Sequence, residues 1–391
     1  MCRRYLQGAD QITRKPVLDE IIGGLMNPLG EEDIKTGVIE RPTPRLAPPD
    51  TEDNLHRLFL ESGWTDGLPI VLPTEARVAE MLKGTSHSPD KHVGLMQPSS
   101  PHPPWSYTVE KVAVNAVMAG AGPEHLPVIL ALASTGDPSL STSTTSFARM
   151  MVVNGPIRNE LNMNSGIGAL GPFNHANSVL GRAWTLMSIN LAAAGKAGET
   201  YMGSQGNNLN YNNVCFAENE ETLPEGWNPF HVQRGFKPHE SVVSTFNGWG
   251  FTRPDQSFGK PFHSQIPFWL NFISPFSPAT LLLDPTIIDQ LKEREGFATK
   301  ESLIDWIHKN TLVTVGEWMD KFYSVQNFVL PAGRKGVEPF ASWMKLPEDA
   351  LIPRIARPQN IHIISVGGGT NLFWQAGDFG HMSSASVDYW R

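Results

Sequence analysis

The run Ile361-His-Ile-Ile-Ser-Val366 enters Gly367-Gly368-Gly369 directly, and that junction limits the possible folds more than any other short segment. A run so rich in aliphatic residues offers water little of a polar face, so it predicts a strand covered on both sides, as in a parallel sheet. The glycines behind it let backbone approach a neighbour or a ligand closely. Met150 to Val153 and Thr280 to Leu283 are shorter runs of the same kind. The first leads into Asn154-Gly155-Pro156, and the second into a helix expected from about Asp284 to Glu295.

Helical signals alternate with these runs. Val109, Val112, Ala113, Ala116, Val117 and Gly120 follow the i, i+3, i+4 spacing of one buried face. Gly120-Ala121-Gly122 ends that helix, and Pro123 suits the first turn of a second, reaching about Ser134. Asp50 or Thr51 is expected to cap a helix through Glu61, and Thr74 one from Glu75 to Leu82, with Leu68 to Leu72 read as a short strand between them. Asn177 is expected to cap a helix to Ala194, and Thr314 with Glu317 forms a capping-box pattern. The alternation favours an α/β fold: mixed or mostly parallel sheets with packed helices, in two subdomains. The expected division is an arm at residues 1–50 ending in ERPTPRLAPPD, a main α/β domain at 51–245 and a C-terminal α/β subdomain with aromatic loops at 246–391. No internal repeat of fixed period is visible.

Composition excludes some functions. The net charge of -8 and the lack of a Lys/Arg cluster argue against a duplex nucleic-acid partner. No apolar run of about twenty residues is present to span a bilayer, and MCRRYLQGADQITRK lacks the apolar stretch of a signal peptide. Cys2 and Cys215 are not expected to bridge, so a reducing, cytoplasmic location is expected. Small molecules are the expected partners, and self-association stays open.

The stretch from Met151 to Glu221 holds more Gly, Asn, carboxylate, His and Cys than a surface loop needs, and reads as a site. Asn154, Asn164, Ser165, Gly166 and Asn177 are expected to offer amides and backbone N–H groups to a ligand, with Arg158 and Arg182 for a carboxylate and Asn219 as a further contact. Cys215 is the one mid-chain thiol, and a thiol with a pKa of about 8.5 needs a histidine, an arginine or a helix N-terminus beside it to become a nucleophile. His175 and His231 are the nearest histidines in sequence. Glu218 and Glu220 share a face if extended, Glu218 and Glu221 if helical, and either arrangement brings two carboxylates together for acid–base work. Each of these residues also has a structural reading: glycines for turns, arginines in ion pairs, Cys215 as a small core hydrophobe, the glutamates as a solvated turn. No zinc-like spacing is present, so no metal is assigned, and the cofactor stays unknown. Asp66 reads as a turn former or a site acid, and Asn371 and Trp374 as ligand contacts after the triple glycine.

Gly63-Trp-Thr-Asp-Gly-Leu-Pro, Pro73-Thr-Glu, Val153-Asn-Gly-Pro-Ile, Ala176-Asn to Gly181-Arg-Ala and Cys215-Phe-Ala-Glu-Asn-Glu-Glu, with the helix from Thr108 to Gly120, resemble an uncharacterised conserved family associated with small UGSC-type selenoproteins. The resemblance covers about Gly63 to Phe236. It brings no reaction and no catalytic residues, and implies thiol or selenol redox chemistry on a separate small protein. Ala121 stands where the family pattern often has cysteine, and Gly206-Asn-Asn replaces a proline-containing turn, which weighs against a two-thiol mechanism.

Three functions follow as expectations. The first is an enzyme on a small organic molecule, a lyase or hydrolase using Cys215, His175, Glu218, Glu220 or His231. The second is a thiol-redox subunit working with a small thiol or selenol protein. The third is a non-catalytic binding or assembly protein whose aromatic segment, Trp249, Phe251, Phe258, Phe262, Phe268, Trp269 and Phe276, forms a partner surface.

Overall fold

A computed structural model describes residues 8–9, 14–28, 45–96, 105–140, 143–254, 259–274, 277–370 and 372–391. The chain divides into two units, residues 1–50 and 51–391. The described part of the first contains helix α1 (Val17–Met26), which buries none of its residues. Asn371, Phe258, Phe276 and Cys2, singled out above, lie outside the described residues.

The second unit is α/β, with parallel and antiparallel strand pairs and helices packed on both sides. One sheet has the order β12-β5-β3-β4 and another β10-β7-β11-β6. Their strands are β3 (Ala148–Asn154), β4 (Val214–Ala217), β5 (Val242–Gly248) and β12 (Gly380–Ser386), then β6 (Phe251–Thr252), β7 (Ala279–Leu283), β10 (Ile361–Ser365) and β11 (Trp374–Gly377). Two small antiparallel pairs accompany them, β1 (His92–Leu95) with β2 (Ser106–Thr108) and β8 (Leu312–Thr314) with β9 (Leu351–Pro353).

Alternation along the strands sets the layers. Met151 and Val153 of β3 belong to a core with α4 (Val109–Ala119), α5 (Leu126–Ser134) and α6 (His175–Leu191), following the earlier helices α2 (Glu52–Glu61) and α3 (Glu75–Met81). Met150 and Val152 of the same strand point the other way, into a core shared with Leu282 of β7 and Ile364 of β10. Leu281 and Leu283 in turn face helices beyond the second sheet, among them α8 (Pro285–Asp289) and α9 (Lys300–Asn310), which follow the short α7 (Phe230–Gln233). The layers therefore run helices, sheet, sheet, helices, which is why β3, β7 and β10 are buried along their whole length.

The two sheets repeat one plan. β3 and β4 are parallel, with β5 antiparallel beside β3; β7 and β10 are parallel, with β11 antiparallel beside β7. The fourth strand is exchanged: β6 follows β5 but pairs with β11, and β12 follows β11 but pairs with β5. Unequal crossovers, residues 155–213 and 284–360, hide this repeat from any search for a fixed period. Residue 245, where the sequence suggested a domain change, lies inside β5.

Thr51, Thr74 and Thr314 cap their helices through hydroxyl-to-backbone hydrogen bonds, and Gly120 ends α4 in the left-handed conformation with φ of 84°. Two expectations need correction. Leu68 to Leu72 joins no strand ladder: Pro69 within it and Pro73 after it have no N–H to donate, and it meets the neighbouring helix through the bond from Val71 N–H to the Met118 carbonyl. Asn177 is not a helix cap, because α6 begins at His175 with Asn174 in the cap position.

Candidate functional site

The segments expected to form one site separate into a largely buried polar network and a pair of open cavities. The network forms where β3 and β4 end. Ala217 closes β4, and the chain turns so that the Glu218 side chain is wholly buried. Its Oε1 lies 2.7 Å from Lys300 Nζ at the start of α9, while Oε2 accepts from Asn154 Nδ2 at 2.7 Å and from the Phe230 N–H at 2.6 Å. Glu220 Oε1 accepts from the same Asn154 nitrogen and from the Gly155 N–H, both at 2.8 Å. The two carboxylates thus do meet, on one amide, with Lys300 and Arg158 to balance them.

Arg158 is fully committed there. It donates to the Glu218 carbonyl at 2.8 Å and to both Glu221 oxygens at 2.9 and 3.2 Å, and its Nε is 3.2 Å from Glu220. The forked pair holds the Glu221 carboxyl well below its ordinary value, at about 2. Gly155 is required by geometry: its φ is 81°, and a side chain there would collide with the Glu240 carbonyl. His231 is buried beside Glu220, with Nδ1 3.9 Å from Oε1 and neither ring nitrogen hydrogen-bonded among the described residues. Asn219 ties the network to the second sheet, its N–H bonding the Ser365 carbonyl at 2.8 Å and Nδ2 the Gly367 carbonyl at 3.0 Å.

The asparagines of residues 164–177 mostly hold their own loop together. Asn177 Oδ1 accepts from the Asn164 N–H, and its Nδ2 donates to the Asn164 and Ala169 carbonyls. Asn164 Oδ1 accepts from the Gly166 N–H, and Asn174 Nδ2 reaches the Gly168 and Gly171 carbonyls. The Ser165 carbonyl takes the Gly367 N–H at 2.8 Å, so this loop is pinned to the glycine turn after β10. The density of amides in sequence is thus largely a loop satisfying its own backbone groups.

Two cavities flank that loop. One, of about 220 Å³, is lined by Gly166 to Gly171, Asp284, Val366 to Gly368 and Phe373. It lies at the C-terminal ends of β7 and β10, where open α/β sheets commonly admit ligands. The other, of about 570 Å³, is lined by Asn177, Ser178, Asn207, Asn213, Cys215 and Trp249, among others. Ala169 to Gly171 and Gln375 belong to both walls. Asp284 caps α8 through the Ile287 N–H at 2.9 Å and accepts the Phe373 N–H at 2.7 Å; burial raises its pKa against those bonds.

Cys215 lies on the wall of the larger cavity but is only 7% exposed, in β4 and against Gly181 of α6. Burial pushes its thiol pKa far up, the reverse of what a nucleophile requires. Neither expected histidine lines that cavity. His175 is exposed at the start of α6, its ring 5.7 Å from that of His125, and His231 is sealed in the network. Arg182 pairs with Asp66 through two bonds of 2.9 and 3.0 Å and donates to the Pro69 carbonyl, so neither expected arginine is available for a ligand carboxylate. Asp66 also accepts the Leu68 N–H, as a turn former does. Trp374 is buried in the outer core of the second sheet. Among the described residues no group of three or more His, Cys, Asp or Glu could hold a metal ion, and no helix is long and apolar enough to cross a membrane.

Lys300, Asp284 and Gln375 escaped the reading of the sequence. Lys300 carried a signal: a lysine in the first turn after the Thr299 cap opposes the helix dipole, so its charge must be answered elsewhere. Compared with protein-family profiles, curated proteins and solved structures, the chain matches none of them.

Proposed function

We propose that the chain is an enzyme of the lyase or hydrolase type, acting on a small polar organic molecule held in the larger, amide-lined cavity in a reducing cellular interior. The observation that carries this reading is the joint presence of Cys215, Asn177, Ser178 and Asn213 in the lining of one cavity, together with Trp249 and Phe251. Its volume of about 570 Å³ falls within the range of small-molecule sites. The Ser178 hydroxyl there suits a carbonyl or hydroxyl substituent, and the aromatic residues suit an apolar edge. With burial favouring the protonated thiol, Cys215 contacts the ligand in this reading as a neutral group, not as an attacking thiolate.

The test is a thermal-shift screen of small amides, esters and hydroxy acids against the wild type and Ser178→Trp, whose ring fills the cavity. Compounds that raise the melting temperature of the wild type alone support the reading, and turnover of one of them that is lost in Cys215→Ala supports the role of the thiol. Binding that persists in Ser178→Trp, or no binding at all, overturns it.

A further inference from the structure

A third cavity, of about 610 Å³, opens on another side of the second unit, where the two sheets contribute one histidine each. His362 comes from β10 and His381 from β12. Arg234, just after α7, and Arg357 complete its polar wall, while Phe328 and Phe340 supply an apolar one. No aspartate or glutamate lines it. Arg234 makes no ion pair among the described residues; its guanidinium lies over the Phe230 ring at 4.8 Å, and its Nε is buried without a hydrogen-bond partner. Among the described residues Arg357 reaches only a backbone carbonyl, that of Glu338, at 3.0 Å.

The histidines supply no counter-charge. His362 is buried, and its Nε2 accepts the His381 N–H at 3.2 Å, which assigns the ring proton to Nδ1. That Nδ1 has no partner among the described residues. A bulge between His381 and Ser383 turns His381 onto the face of Ser384, whose Oγ lies 2.8 Å from Nε2, and both histidine rings pack edge-on against Phe230 and Phe246. Burial and Arg234 favour the neutral form of both rings. Two arginines thus share a partly enclosed wall with no counter-charge, an arrangement that an incoming oxyanion would complete through charge-assisted hydrogen bonds.

We infer that this cavity is a binding site, separate from the amide-lined one, for a small organic oxyanion: its phosphoryl or carboxylate head toward Arg234 and Arg357, its apolar body against Phe328 and Phe340. The inference does not depend on the function proposed above. It is tested by calorimetric titration of the full chain with phenyl phosphate, phenylacetate, inorganic phosphate and, as an uncharged control, benzyl alcohol. At least one phenyl anion should bind at least tenfold more tightly than inorganic phosphate, with benzyl alcohol silent, and the stronger of the two identifies the head group. Arg234→Gln and the exposed Arg357→Gln should each weaken that binding at least tenfold, while Cys215→Ala leaves it unchanged. Should Arg234→Gln fail to fold, Arg357→Gln decides alone. Absence of binding by both phenyl anions, equal binding of the uncharged control, or unchanged affinity in the arginine variants overturns the inference.

Discussion

Lys300 and Glu218 form an ion pair of 2.7 Å in which neither side chain is exposed to solvent, joining the turn after β4 to the first turn of α9. Removing one partner leaves the other charge buried and unanswered. Lys300→Met should therefore cost on the order of 3–5 kcal/mol in urea unfolding. The double variant Lys300→Met/Glu218→Gln should recover a large part of the loss. A single-variant cost below about 1 kcal/mol would mean that water reaches the pair.

Cys215 should resist alkylation in the native protein. Its thiol stays protonated because burial raises its pKa, so iodoacetamide at pH 8 should label the peptide containing Cys215 only after denaturation. Peptide-resolved mass spectrometry reads this directly, and rapid labelling of native Cys215 would contradict it.

Acid stability should carry the mark of Glu221. Its pKa falls from 4.5 to about 2 through the Arg158 fork, so the contribution is complete above about pH 4.5 and fades as pH drops toward 2. The exposure of the Glu221 side chain keeps the effect modest. Glu221→Gln should flatten that limb of the curve of melting temperature against pH and leave the region above pH 5 parallel to the wild type.

His381 acts in a different window and with the opposite chemistry. Its pKa is lowered from 6.5 to about 4, first by burial and then by Arg234, so the unfolded chain binds a proton that the native ring refuses between those values. Stability should rise with pH from about 4 to 6.5 on this account, and His381→Gln should lower the slope there.

Gly181 sits where α6 passes the chain entering β4, and a methyl group there would overlap the Asn212 carbonyl and press on Cys215. Gly181→Ala should destabilise by about 1–3 kcal/mol, as overpacking does, and reshape the larger cavity. An unchanged melting temperature would mean that the contact yields freely.

The strands β3, β7 and β10 and the helix α4 were legible because their signals are local: continuous apolar runs and a 3.6-residue period ending at Gly120. The stretch Leu68 to Leu72 misled because Ile70 and Leu72 are core residues without a ladder, and apolarity reports burial before it reports pairing. At the site, the meeting of Glu218 and Glu220 was legible in the spacing of the two residues. What answers them was not, since Lys300 is distant in sequence and charge complementarity across a fold leaves no local period. The expected partnership of Cys215 with His175 or His231 failed for a related reason: nearness along the chain ranks candidates poorly once a strand and a helix separate them.

The exchanged edge strands have a consequence for dissection. Each half of the strand plan is closed by a segment belonging to the other, β6 on β11 and β12 on β5. A cut between β6 and β7 would hand either fragment a sheet with a bare margin, so neither piece should persist as a monomer. The fragments mixed together should instead rebuild the interlock, with complementation in solution reporting how strongly each half depends on its lent strand.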